Sequence, residues 1–168
     1  MNKIYRTKEK PPRLERADYI KALTEELRTT QDLSAKEEVT ANLANFCYNP
    51  INHEHMLVVN VAEAFLGVLS DTNKVLVRFG LMGLVNLSVN PSFEAQIRQG
   101  MPQITPLIES DDIETRISAL TMVYYMGVPS EEADTLPLLL RGMLTSSSCR
   151  RTVNLVKVLL KIEDDAID

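Results

Sequence analysis

The feature that most constrains this chain is that it resembles itself at a period near 40 residues. The segment Val39-Thr-Ala-Asn-Leu-Ala-Asn-Phe46 aligns with Gly80-Leu-Met-Gly-Leu-Val-Asn-Leu87. Leu43 meets Leu84, Asn45 meets Asn86, and Asn49-Pro50 meets Asn90-Pro91, at an offset of 41. Phe65, Val68 and Leu69 meet Ile104, Leu107 and Ile108 at an offset of 39, and Ser70-Asp71 and Ser110-Asp111 close the two units. A weaker third copy sets Ala119, Val123 and Met126 on Gly80, Leu84 and Leu87, and 155–162 reads as the last helix of a fourth. One such unit cannot bury its apolar face alone, so the units must stack and share a core.

The units are helical. Ile20, Leu23 and Leu27 fall at i, i+3 and i+7, and no stretch alternates apolar and polar residues with turn chemistry between. Ser34 with Glu37 predicts a capping box before the pattern Val39, Leu43, Phe46. Asn49-Pro50 stops that helix, because proline lacks a donor and disfavours helical geometry before it. The expectation is an all-α fold: a short right-handed α-solenoid of about three and a half repeats, spanning 17–162.

Composition narrows the function classes. With 168 residues and 45% hydrophobic content the chain has enough apolar matter for one domain or a short array. No apolar run reaches membrane-spanning length, and the charged N-terminus shows no secretory signal. Cys47 and Cys149 stand far apart without metal spacing, which points to a reducing, intracellular compartment. The net charge of -5 is uneven: Lys3, Arg6, Lys8, Lys10, Arg13 and Arg16 outweigh Glu9 and Glu15 in a basic arm over 1–16, leaving an acidic body and an acidic end at 163–168. An acidic body argues against nucleic-acid binding by the fold itself. The arm reads either as a solvated tail or as a contact for RNA or an acidic partner.

No catalytic constellation is present. The sequence holds no GxxxxGK[ST], GxGxxG or GxSxG. In His53-Glu54-His55 the histidines are two apart and diverge on a helix, so the trio reads as a solvated short helix rather than a metal site. Cys47 reads as a buried apolar thiol. Asn86-Leu-Ser88 matches a glycosylation sequon by chance within a helix. The chain reads as a non-enzyme with no cofactor, metal or small-molecule substrate.

The pattern of an apolar helix ending in Asn-Leu or Leu-Ala-Asn, then Asn-Pro, a short helix, Gly100-Met101-Pro102 and a Ser-Asp end resembles the armadillo repeat; HEAT repeats share the same physics. The resemblance implies third helices at 34–48, 74–89, 113–127 and 147–162. It implies second helices at 61–69, 101–109 and 136–144, and first helices at 53–60 and 92–99. The third repeat lacks a clear first helix, and 128–134 is expected to be irregular. The stretch Ala35-Lys-Glu-Glu-Val-Thr-Ala-Asn-Leu-Ala-Asn-Phe-Cys-Tyr-Asn-Pro50 resembles that of a small armadillo protein of the minor spliceosome that binds an RNA-recognition-motif protein. That implies a nuclear role in splicing of U12-type introns. A regulatory or assembly-chaperone scaffold, and a direct RNA binder acting through the arm, are the rival readings.

In armadillo folds the third helices line a concave groove, which implies a protein-binding column of Asn45, Asn86, Tyr125 and Lys161. Beside it lies a second column of Ala41, Met82, Thr121 and Lys157. The amides either pair with a bound peptide or satisfy nearby helix-end carbonyls. Met82 fits the groove or the core. Import receptors of this family carry Trp in the second column, and this chain has none. The last helix shows a narrow polar stripe of Asn154, Lys157 and Lys161 and is otherwise apolar, although a terminal layer needs a polar outer face. Two readings follow. A partner covers a C-terminal edge including Val156, Leu159, Arg150 and Arg151, or 138–144 and the tail wrap it. Arg150, Arg151, Lys157 and Lys161 predict a positive end to the groove. Glu109, Asp111, Asp112 and Glu114 predict a negative ridge, either solvated or steering a partner.

Overall fold

The computed structural model describes residues 15–127 and 133–162. Every regular element among them is helical. Helix α1 (Arg16–Thr29) buries Ile20, Leu23 and Leu27, the three residues its periodicity selects. Helix α2 (Leu33–Cys47) begins one residue before Ser34. The predicted capping box is replaced: the Asp32 carboxylate accepts from the amides of Ser34 and Ala35 at 2.9 and 3.2 Å. A charged acceptor at a helix N-terminus gains from the helix dipole as well as from the orphan amides. Glu37, freed of capping, accepts from Asn73 Nδ2 at 2.7 Å, in the next repeat.

Asn49 and Asn90 both end one helix and start the next turn. Their side-chain oxygens accept from the amides of Ile51 and Ser92, opening 3-10 turns at Pro50–Asn52 and Pro91–Phe93. Helix α3 (His53–Val58) and helix α4 (Val61–Val68) follow, joined through Asn60 in the left-handed region. His53 is buried, which corrects the solvated reading of this short helix. Its Nε2 donates to the Cys47 carbonyl at 2.8 Å, so its Nδ1 accepts from Asn90 Nδ2 at 3.1 Å. One imidazole thus bridges two successive repeats. Cys47 is fully buried beside Met56, and burial pushes its thiol far up, as an inert apolar thiol requires.

Helix α5 (Lys74–Leu87) is capped by Asn73, and helix α7 (Ile113–Met126) by Asp112. Between them the Gly-Met-Pro turn does not form. Helix α6 (Glu94–Ile104) runs through Gly100 and Pro102, and only then tightens into a 3-10 helix, Thr105–Glu109. The reason lies in packing. Leu66 of α4 seats directly on Gly100, where a Cβ would lie 2.2 Å from its Cδ2. The glycine serves close approach rather than a break. Helix α8 (Leu136–Ser146) and helix α9 (Arg150–Leu160) complete the array, and Lys161 ends α9 in the left-handed region.

The helices α2, α5, α7 and α9 stack in that order, and α1, α4 and α8 pack on α2, α5 and α9 respectively. One continuous core runs through the stack, with Phe65, Leu84, Phe93 and Leu120 fully buried. Fully burying each such side chain contributes about 1.5–3 kcal/mol before entropy is charged against it. The molecule is a short all-α solenoid.

Candidate protein-interaction surface

Equivalent residues on α2, α5, α7 and α9 form rows across the stack. The rows near the helix N-termini are tied together by polar pairs. Lys74 meets Asp111 at 2.6 Å, Arg78 grips Asp112, and Arg151 meets Glu114 at 2.6 Å. Desolvation opposes the Asp112 charge. The hydrogen bond from Arg78, with those from the Thr115 hydroxyl and amide, outweighs it and holds the carboxyl down to about 2. The Lys74 ammonium likewise lowers Asp111. The acidic ridge is therefore an ion-pair ladder between repeats: three of its four members have cationic partners.

The groove residues fall into different environments. Asn45 is exposed and lines a cleft of about 280 Å³ with Arg16, Phe46, Asn49 and Asn52. Arg16 Nη1 donates to Asn52 Oδ1 at 3.2 Å, and Asn52 Nδ2 donates to the Phe46 carbonyl at 2.7 Å. Asn86 is half-buried, and its Nδ2 donates to the Ala44 carbonyl at 3.0 Å. That bond crosses between repeats, so it differs from the local helix-end contact weighed for this amide. Met82 and Thr121 are half-buried, and the Thr121 hydroxyl donates back to the Ile117 carbonyl at 2.8 Å. Tyr125 is 49% exposed and stacks edge-on with Tyr124, ring centroids 5.6 Å apart.

The last helix sits one residue out of the anticipated register. Buried Thr152 and Val156 on α9 correspond to buried Thr115 and Ala119 on α7, an offset of 37, and the pair Glu114–Arg151 keeps the same offset. That offset brings Val158 level with Thr121, while Ile162 follows the left-handed C-cap Lys161 and lies past the helix. Val158 and Ile162 are exposed, at 54% and 39%. Lys157 is half-buried, and Lys161 is the helix C-cap. Val158 and Ile162 thus add exposed apolar surface beside exposed Lys161 at this end of the stack. Arg151 is neutralised by Glu114, while Arg150 is exposed.

The C-terminal edge needs one correction. Val156 has no exposed surface and belongs to the core, because it takes the place Ala119 takes in α7. Leu159 is half-buried against that core. Val158, by contrast, is open. Two exposed residues went unselected in the sequence, Tyr48 (81%) and Val89 (61%). They share the position just before Asn-Pro, so the offset of 41 carried the signal. The arm residues Lys3, Arg6, Lys8, Lys10 and Arg13, most of the loop at 128–134, and the end at 163–168 lie outside the described residues.

Among the described residues no three His, Cys, Asp or Glu side chains converge on a metal-sized site. No helix there is long and apolar enough to cross a membrane.

Stacked helical layers tied by polar pairs between repeats, with the long helices side by side, define the class: an α-helical repeat scaffold. Two solved engineered proteins share the fold. One superposes with a TM-score of 0.72 over 84% of this chain and 61% of its own length, at 18% identity. The other gives 0.71 over 84% of this chain and 36% of its own length, at 18% identity. This chain thus spans less than two thirds of either. No protein-family model matches the sequence. Armadillo repeat-containing protein 7 of Mus musculus is 35% identical over 159 residues, covering 89% of this chain and 79% of its own. The chain belongs to the armadillo-repeat family.

Proposed function

We propose that this chain is a non-catalytic adaptor of the minor spliceosome. It holds an RNA-recognition-motif protein in the nucleus and supports removal of U12-type introns. The family supports a repeat scaffold for protein interaction. The specific particle rests on the resemblance carried by 35–50.

The observation that carries the binding mode is the exposure of Asn45 on α2, Tyr125 on α7 and Val158 on α9, with Ile162 exposed just past the end of α9. The N-terminal end of this surface offers the Asn45 amide, which can donate to and accept from a peptide backbone. Its C-terminal end offers apolar surface that anchors side chains. In this reading RNA is reached through the protein partner, with the basic arm as a secondary contact. The test is purification of the tagged chain from nuclei, with mass spectrometry and RNA analysis. An RNA-recognition-motif protein is expected, and the RNA should vanish when that protein is stripped away. Salt-sensitive RNA binding by the isolated chain would favour direct recognition through the arm instead. Absence of both RNA and splicing proteins would favour a regulatory or assembly scaffold.

A further inference from the structure

The helices α2, α5, α7 and α9 begin in the same way. The residue at each N-cap is held by a polar side chain two positions before it. The Asp32 amide donates to Thr30 Oγ1 at 3.2 Å and the Asn73 amide to Asp71 Oδ1 at 2.9 Å. The Asp112 amide donates to Ser110 Oγ at 3.2 Å and the Cys149 amide to Ser147 Oγ at 3.3 Å. At Asp32, Asn73 and Asp112 a side-chain oxygen then accepts from amides of the first turn. The fourth cap presents sulfur.

Asp112 shows what such a site holds. Its Oδ2 accepts from the Thr115 amide at 2.9 Å and from the Thr115 hydroxyl at 2.7 Å. At the offset of 37, Cys149 takes the place of Asp112 and Thr152 that of Thr115. A neutral thiol is a weak acceptor, and no side-chain hydrogen bond caps α9. Thr152 bears the consequence. Its hydroxyl has no exposed surface and, among the described residues, no hydrogen-bond partner. A buried hydroxyl left unpaired is costly. Ionised Cys149 is the acceptor it lacks: the Thr152 amide and hydroxyl lower this thiol most, and Arg151 adds to them.

The surrounding charges are few. Arg150 is exposed, and Arg151 is engaged with Glu114 of α7. Helix α8, also packed on α9, carries Arg141 as its single charged residue. Cys149 is half-exposed, whereas Cys47 is buried and its thiol pushed far up.

We propose that Cys149 is a modification site for thiol–disulfide exchange with an anionic small disulfide of the glutathione class. Its Sγ, having released its proton to water, attacks one sulfur of the disulfide. A new S–S bond forms at Cys149 and the old one breaks. The other half leaves as a thiolate and takes a proton from water. Cys149 is oxidised as the disulfide is reduced, and no further oxidant enters. Thr152 is a positioning residue that holds charge on the sulfur, and Arg150 meets the carboxylates of the incoming disulfide. None of this rests on the splicing role.

The test treats the full chain with glutathione disulfide or with cationic cystamine, maps adducts by mass spectrometry and follows initial rates across pH. The adduct is expected at Cys149. Its rate should reach half-maximum at a lower pH than that of Cys149 in the urea-unfolded chain. Thr152→Val should raise this midpoint and slow the reaction at neutral pH at least about threefold, while Thr152→Ser keeps the wild-type profile. Arg150→Glu should lower the ratio of glutathione-disulfide to cystamine rates at least about threefold at low salt. No adduct at Cys149, a midpoint no lower than in the unfolded chain, or a folded Thr152→Val protein with the wild-type profile would overturn the proposal. An unchanged rate ratio in Arg150→Glu would overturn the choice of an anionic disulfide.

Discussion

The side-chain amide of Asn86 donates to the main-chain carbonyl of Ala44 at 3.0 Å, tying the last turn of α5 to the last turn of α2. Asn45, at the equivalent position of the preceding repeat, is exposed in a cleft. One residue type at one repeat position therefore does two jobs. At Asn86 it ties two layers together, and at Asn45 it faces solvent and a potential partner.

This difference predicts opposite phenotypes. Asn86→Ala should lower unfolding free energy by about 1 kcal/mol, since the carbonyl of buried Ala44 loses this donor. Asn45→Ala should change stability by less than about 0.5 kcal/mol and weaken partner binding. Urea denaturation beside a binding titration separates the two, and equal stability losses would contradict the assignment.

Helix α9 offers a sharper contrast. Val156→Glu should unfold the C-terminal repeat or the whole chain, because a carboxylate would be buried without a partner in the core. Val158→Glu lies two residues on, is open, and should leave Tm within a few degrees while weakening partner binding. Circular dichroism melts would contradict the register if Val158→Glu proved the more damaging.

The pair Arg78–Asp112 gives a pH dependence. The Asp112 carboxyl is depressed to about 2 in the folded chain, against about 3.9 unfolded. The folded state thus binds fewer protons between those values. Its stabilisation is fully present above about pH 4 and is lost as pH falls through about 2. The linkage amounts to about 1–2 kcal/mol. Asp112→Asn should lower stability at pH 7 and flatten the decline between pH 4 and 2. Parallel urea midpoints for both proteins across that range would contradict it.

Gly100 makes the packing claim directly testable. Gly100→Ala should destabilise by about 1 kcal/mol, because the methyl would strike Leu66 of α4 while rotation of that side chain and alanine's better helix propensity offset part of the clash. A companion Leu66→Ala should recover part of that loss. A neutral Gly100→Ala with Leu66 intact would show that α4 and α6 do not pack this closely.

Much of the fold was legible in the sequence because repeats reveal the register twice. The paired Asn-Pro steps located both helix ends, and Ile20, Leu23 and Leu27 located the face of α1. Features that depend on a neighbouring layer were not legible. Gly100 reads as a turn until Leu66 is placed against it. His53 reads as solvated until Asn90 and the Cys47 carbonyl close around it. Val156 reads as edge surface because an apolar helix with one narrow polar stripe does not reveal which apolar residue points inward. The one-residue shift on α9 sets Val158 rather than Lys157 level with Thr121.

The most direct test of the central claim is quantitative recovery of an RNA-recognition-motif protein on the tagged chain from nuclear extract, wild type against Val158→Glu, after nuclease treatment. The account predicts that wild type retains the protein once RNA is digested and that Val158→Glu loses most of it while remaining folded. Loss of the protein on nuclease treatment, or equal recovery by both chains, would contradict it.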